Sequence, residues 1–178
     1  MKKVLKFIGI LILLVIAFVL IAGIFVSKTY HVERSIVINA SKEKVWSNTS
    51  TLHGLNSWSP WLEIDPNVKV TYEGEDGTVG AKYKWEGNGD VGQGEQTISK
   101  IEEPNSFGTH IHFLKPMNDE ADAHIDLADE AGSTKVTWTL DGEYSYPKNV
   151  MQLFFDMDKM IGDQYNKGLN KLKTLSEK

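Results

Sequence analysis

The chain of 178 residues has no cysteine, which removes disulfides, thiolate catalysis and a lipid anchor on a cysteine together. It has five prolines and no proline-rich or low-complexity stretch that would mark a linker between domains. No internal repeat appears. No acidic residue occurs before Glu33, and no basic stripe occurs after it. The region after residue 26 holds all 24 acidic residues and 16 of the 19 lysines and arginines, so it is acidic and a poor partner for nucleic acid or an anionic lipid surface. Also missing are a Ser-His-Asp order, a phosphate-binding glycine loop and an EF-hand spacing. The glycine-rich "VGQGEQT" lies in a strand pattern and does not fit the dinucleotide fingerprint.

What is present begins with "FIGILILLVIAFVLIAGIFV", residues 7–26, which has neither a charge nor a polar side chain. That is the length needed to cross a bilayer core, and longer than the apolar part of a secretory signal. Phe25-Val26-Ser27 is a poor cleavage site, so the run reads as an uncleaved anchor. Lys2, Lys3 and Lys6 precede it, and Lys28 and Arg34 follow it. The flanking cations favour a cytoplasmic N-terminus, with the rest of the chain on the extracytoplasmic side of the membrane. Residues 1–28 are expected to form the cytoplasmic tip and anchor, and residues 29–178 one domain.

In that domain, "YHVERSIVINA" (30–40) alternates loosely and ends at Ser41, a helix N-cap residue. Residues 41–58 read as one or two short helices, with Val45, Trp46, Leu52 and Leu55 inward. Strict alternation follows in "VKVTYEG" (68–74) and "AKYKWEG" (81–87), joined by "EDGT" (75–78) as a hairpin turn. Strand patterns continue at 91–102, 106–114, 121–128 and 134–143. Gly92 and Gly94 in the first of these suggest a bend or the close approach of another group. From Pro147 to Lys178 the apolar spacing becomes helical, a length of roughly 45 Å at 1.5 Å per residue. The expectation is an α+β fold: a seven-stranded curved antiparallel sheet wrapped on one long C-terminal helix, with a transmembrane helix in front.

The blocks "INASKEKVW", "WSPWLEIDP", "GTVGAKYKWEGNGDVGQGEQTI", "TKVTWTLDGE" and "MDKMIGDQYNKGLNKLK" stand in this order over residues 31–176. Together they resemble the SRPBCC superfamily, in particular its polyketide cyclase/dehydrase-like branch with the helix-grip fold of START and Bet v 1 proteins. The resemblance implies a deep apolar cavity that takes a lipid, sterol, hormone or polyketide. Some members are cyclases or dehydratases and others carriers, and no universal catalytic motif exists to be carried over. The anchored N-terminus departs from soluble members.

The candidate pocket is aromatic. Trp58 and Trp61 stand in a loop stiffened by Pro60 and Pro66, and one or both are expected at a cavity mouth. Tyr83, Trp85, Phe113 and Trp138 fall on the inner face of the sheet, and Met157 and Met160 on the helix face turned toward it. Tyrosine hydroxyls and indole N–H groups there would need partners, which a wet or liganded cavity supplies. The expected function is membrane-anchored binding of an apolar small molecule or lipid, without a cofactor. The alternatives are a cyclase or dehydratase in the same cavity, or a ligand-free domain that binds a partner protein. The inner face offers few ionisable groups beyond tyrosines, which disfavours acid–base chemistry.

His110, His112 and His124 are the other constellation. With a turn centred on Asn118, His112 would oppose His124, but parity puts all three on the outer, solvated face. Specific metal binding is not expected. Glu63, Asp65, Asp156 and Asp158 read as helix-end or surface carboxylates, the last two too far inside the helix to cap it.

Overall fold

A computed structural model describes residues 2–178. Helix α1 (Lys2–Phe25) is followed by strand β1 (Thr29–Ile38), helices α2 (Lys42–Thr49) and α3 (Leu52–Trp58), and a short 3₁₀ turn at Trp61–Glu63. Strands β2 (Lys69–Glu73), β3 (Lys82–Glu86), β4 (Gln93–Glu102), β5 (Ser106–Lys115), β6 (Asp119–Glu130) and β7 (Ser133–Glu143) come next. A 3₁₀ segment at Lys148–Leu153 leads into helix α4 (Met157–Ser176). The strands form one antiparallel sheet in the order β1-β7-β6-β5-β4-β3-β2. Among the described residues, α1 is the one helix long and apolar enough to cross a membrane, with a mean hydropathy of 3.3 and almost none of it buried.

The period-two pattern fixes the faces. Val32 and Ile38 of β1, Tyr83 and Trp85 of β3, Ile98 of β4, Phe107 of β5, Ile125 of β6 and Val136 and Trp138 of β7 are all buried on the inner face. At one end the sheet closes on α2 and α3, and α4 lies along the inner face. Ser41 caps α2 by accepting from the Lys44 N–H, and Thr51 caps α3 by accepting from the Gly54 N–H at 2.9 Å. The hinge of the packing is Trp138. Its ring stacks on Tyr165 of α4, with centroids 3.7 Å apart and planes 5° from parallel, and meets the edge of Trp58 at 4.9 Å.

Two glycines let α4 come this close. A Cβ at Gly168 would lie 2.9 Å from the Trp138 ring and 3.1 Å from Pro60. A Cβ at Gly162 would overlap the guanidinium of Arg34. Arg34 is the only arginine in the chain, and it points from the inner face of β1 to grip Asp158 with two hydrogen bonds of 2.9 Å. The hydrogen bonds from Arg34 hold the Asp158 carboxyl below the usual carboxylate range. The arginine counted above as a cation flanking the membrane is thus a clamp on the long helix.

Three expectations need correction. The long helix begins at Met157, not at Pro147, and spans 20 residues. Asp156 is its N-cap, accepting from the Lys159 N–H at 2.9 Å, so this carboxylate is an end group after all. Residues 148–153 form a separate 3₁₀ segment, where Asn149 and Gln152 bond to the end of α1 and the residues just after it, as described below. The β2–β3 connection runs over residues 74–81 and is longer than a tight "EDGT" turn. Asp76 is drawn out of it onto α3, where its carboxylate accepts from the Leu52 and His53 N–H groups at 2.7 and 3.0 Å and pairs with the His53 ring.

Burial alone would raise the Asp76 pKa, but its hydrogen bonds from His53 and Leu52 outweigh this and hold it below the ordinary value. A carboxylate with a depressed folded pKa contributes stability above its unfolded pKa and loses it as pH falls through the folded one. Thermal melts of the detergent-solubilised chain should therefore show Asp76→Ala less stable by about 1 kcal/mol at neutral pH, the size of a lost helix cap. That gap should close as the pH drops below the ordinary carboxylate range. Urea unfolding should show Trp138→Ala less stable by about 3–5 kcal/mol. Gly168→Val should lose about 1–3 kcal/mol by overpacking, although it removes a helix glycine.

Candidate ligand pocket

Away from the Trp138 stack, the sheet curls and α4 does not follow it. The gap is a cavity of about 370 Å3, near the lower end of the range for small-molecule sites. Its floor is the inner face of β3, β4, β5 and β7, through Tyr83, Trp85, Gln96, Ile111, Phe113 and Leu140. Its roof is the first half of α4, through Met157, Met160, Ile161 and Gln164. Trp61, Leu62 and Ile64 close one side.

The aromatic wall is continuous. The rings of Tyr83 and Trp85 lie 5.7 Å apart, and Trp85 meets Phe113 edge-on at 6.0 Å. Gly94 makes this possible, because a Cβ there would lie 2.5 Å from the Trp85 ring. The strand glycine singled out in the sequence therefore marks the close approach of an aromatic ring.

The buried polar groups of the aromatic floor are satisfied by the protein itself. The Tyr83 hydroxyl donates to Gln96 Oε1 at 2.8 Å, and Gln96 Nε2 donates to Thr109 Oγ1 at 2.7 Å. The Trp85 indole donates to the Val91 carbonyl at 3.3 Å, and the Trp58 indole to the Asn48 carbonyl at 3.0 Å. Contrary to expectation, these rings need neither water nor ligand as partners, so such a need is not what makes the cavity. It exists because α4 leaves the sheet uncovered. Burial pushes the Tyr83 and Tyr165 hydroxyls well above their ordinary pKa, so both stay neutral donors.

Of the residues chosen from the sequence, Trp61, Tyr83, Trp85, Phe113, Met157 and Met160 line this cavity. Trp58 and Trp138 do not. Trp58 does not stand in a loop: it is the last residue of α3, 1% exposed and packed edge-on against Trp138, so it plugs the core while Trp61 in the 3₁₀ turn walls the cavity. Gln96 and Thr109 carry no motif that marks them, although the alternation of β4 and β5 places both on the inner face. Asp65 is no surface group: it is 5% exposed and accepts from the Asn67 and Asn88 N–H groups at 2.9 and 2.7 Å. It ties the tryptophan loop to the β3–β4 connection, and so fixes the side wall. Glu63 on the same loop pairs with Lys171 of α4.

The three histidines share the outer face of the sheet, but they do not converge. His112 lies opposite Glu120 and His124 opposite Gly108, so the two histidines expected to pair stand four positions apart along the ladder. The β5–β6 turn is tight, with β6 starting at Asp119, and this sets the register. His110 bonds to Asp122 at 2.9 Å and His112 to Asn118 at 2.8 Å.

A curved antiparallel sheet gripping one C-terminal helix over an apolar cavity defines the helix-grip class. Residues 29–177 match the family described as polyketide cyclase / dehydrase and lipid transport, and the chain belongs to that family. No curated protein sequence matches it. Solved structures are similar in fold. A protein of Nitrosospira multiformis is 21% identical with a TM-score of 0.58, over 82% of this chain and 94% of its own. Ginseng major latex-like protein 151 from Panax ginseng is 15% identical with a TM-score of 0.57, over 82% and 96%. The Aha1 protein of Colwellia psychrerythraea, solved as a dimer, is 19% identical with a TM-score of 0.56, over 83% and 96%.

The Tyr83–Gln96 bond gives a test of the wall. Gln96→Leu should destabilise the chain by about 1–3 kcal/mol, because it leaves the buried Tyr83 hydroxyl without its acceptor. Adding Tyr83→Phe should recover most of that loss. Denaturant titration of the two single variants and the double variant measures the coupling.

Proposed function

We propose that this chain is a membrane-anchored binding domain that holds an apolar small molecule or a lipid between its sheet and α4. Residues 1–28 are the cytoplasmic tip and anchor, and residues 29–178 are the binding domain on the extracytoplasmic side. The observation that carries the reading is the cavity wall. It is lined mainly by aromatic, aliphatic and methionine side chains, and the polar groups of its aromatic floor, Tyr83, Gln96 and the Trp85 indole, already have partners within the protein. A surface of that kind gains from covering apolar area and does not demand a polar ligand. Methionines at the roof suit ligands of varied shape. The family description, with its lipid transport, points the same way.

Binding is favoured over catalysis by the ionisable groups available. Those that line the cavity are Tyr83, Tyr165 and Asp90, and burial moves both tyrosines away from neutrality. General acid–base work calls for a group that titrates near the working pH.

Native mass spectrometry of the full-length protein, extracted from its own membrane, should show a retained apolar ligand. Phenylnaphthylamine should bind to the detergent-solubilised chain and quench tryptophan emission. Trp61→Ala and Trp85→Ala should each weaken that binding by about tenfold, which corresponds to ~1.4 kcal/mol. If neither a retained ligand nor probe binding is found, the cavity is a packing gap and the partner-binding alternative takes over. N-terminal sequencing of the mature chain should begin at or near residue 1, and protease added outside spheroplasts should digest the domain.

A further inference from the structure

The carbonyls at the end of a helix have no partners within that helix. The Gly23 carbonyl of α1, and those of Val26, Ser27 and Lys28 just beyond it, are taken up by groups more than a hundred residues away. Asn149 is fully buried, and its Nδ2 donates to the Gly23 carbonyl at 2.8 Å and to the Val26 carbonyl at 2.9 Å. Gln152 Nε2 donates to the Ser27 carbonyl at 2.8 Å, and the Tyr144 N–H to the Lys28 carbonyl at 2.7 Å. The Tyr146 hydroxyl reaches back to the Leu20 carbonyl at 2.9 Å. Its ring lies on Gly23, where a Cβ would come within 2.9 Å of it.

This bracket sets a height. Leu20 lies about 7–8 Å inside the end of α1 at 1.5 Å per residue. With the apolar run 7–26 filling the hydrocarbon core, the Tyr146 hydroxyl lies about 9 Å inside the edge of that core, and its bond to Leu20 is made among the acyl chains. The segment that follows carries an unpartnered apolar tip. Leu153 is 56%, Phe154 71% and Phe155 51% exposed. Met117 of the β5–β6 turn is exposed at the same end of the sheet. Between them opens a second cavity of about 380 Å3, lined by Met117, Met151 and Phe155. It shares Phe113, Met157, Met160 and Ile161 with the ligand pocket.

We propose that residues 146–155, bracketed on the last turns of α1, set Leu153, Phe154 and Phe155 into the leaflet that α1 enters, so that the ligand pocket opens onto that leaflet. The proposal rests on the binding reading above and adds the route: an apolar ligand passes between acyl chains and pocket without crossing water. The occupant of the tip is the bilayer, because α1 and the tip are tied together at one height. Charges around the tip are mixed, with Lys28, Lys115 and Lys148 against Glu143, Asp156 and Asp158, so the docking is apolar and does not require anionic lipid.

The absence of native cysteine makes the test direct. Leu153→Cys, Phe154→Cys and Val79→Cys, each in the full chain, are labelled with a nitroxide and reconstituted in phosphatidylcholine vesicles. Val79 is equally exposed but lies in the β2–β3 connection, at the opposite end of the sheet. The ratio of oxygen to nickel-chelate collisions should be several-fold higher at 153 and 154 than at 79. Equal ratios, or dipolar broadening that shows the tip packed against a second copy, would overturn the proposal. Gly23→Leu, a change on α1 outside the domain core, should displace Tyr146 and lower the ratio at 154 toward that at 79. An unchanged ratio would overturn the role of the bracket. The measurement needs no ligand, so a tip found in water leaves the probe-binding result standing, and a failed probe titration leaves the depth result standing.

Discussion

The stack of Trp138 on Tyr165 is the contact on which the rest of the molecule depends. It fixes how far α4 stands from the sheet, and it does so on one side only. On that side lie Gly162 and Gly168, the Arg34–Asp158 clamp and the edge of Trp58, all of which draw the helix inward. On the other side β3, β4 and β5 curl away from a helix that is already committed. A straight helix of 20 residues, about 30 Å, cannot follow a sheet of seven twisted strands. The cavity is the geometric remainder of that mismatch. Its lining is apolar because the same alternation that fills the core on the Trp138 side continues past the point where the core ends.

That origin explains what could be read from the sequence. Strand faces follow from a period of two, so Tyr83, Trp85, Phe113 and Trp138 were placed on the inner face from pattern alone. Whether an inner-face residue meets packing or open space depends on its distance from the helix, which no local pattern records. Trp138 and Trp85 have the same periodic signature, yet one is sandwiched and the other walls a void. Trp58, which ends α3, and Trp61, which opens the 3₁₀ turn three residues on, divide in the same way. Gln96 was legible in principle, since β4 alternates Gly94, Gln96, Ile98, but a glutamine at an inward position reads as a break in the pattern until Tyr83 and Thr109 are seen on either side of it.

The misplaced start of the long helix has a different cause. Residues 147–156 have helical spacing, and nothing local forbids the helix from beginning at Pro147. The decision is made by α1. Asn149 bonds to the Gly23 carbonyl of α1, Tyr146 to that of Leu20, and Gln152 to that of Ser27 just beyond the helix, and side chains committed there hold their own backbone out of α4. Asp156 then becomes the first residue free to cap. A contact spanning more than a hundred residues leaves no periodic trace, and Asp156 and Asp158 could not be told apart as cap and clamp without it.

The two ends of the helix-grip domain are thus governed by different partners. The far end closes on itself through α2, α3 and the Trp58 plug, and is saturated with buried contacts. The near end is left with a backbone that bonds to α1, an apolar tip and the open half of the sheet. In a soluble protein of this fold that end would need its own polar cover, because exposed phenylalanines beside an open apolar cavity favour aggregation. Here the chain continues directly from that end into an apolar helix of membrane length. The features that would be liabilities in water are gathered where α1 emerges. The proposed placement, with α1 across the bilayer and residues 146–155 in the leaflet it enters, accounts for all of them.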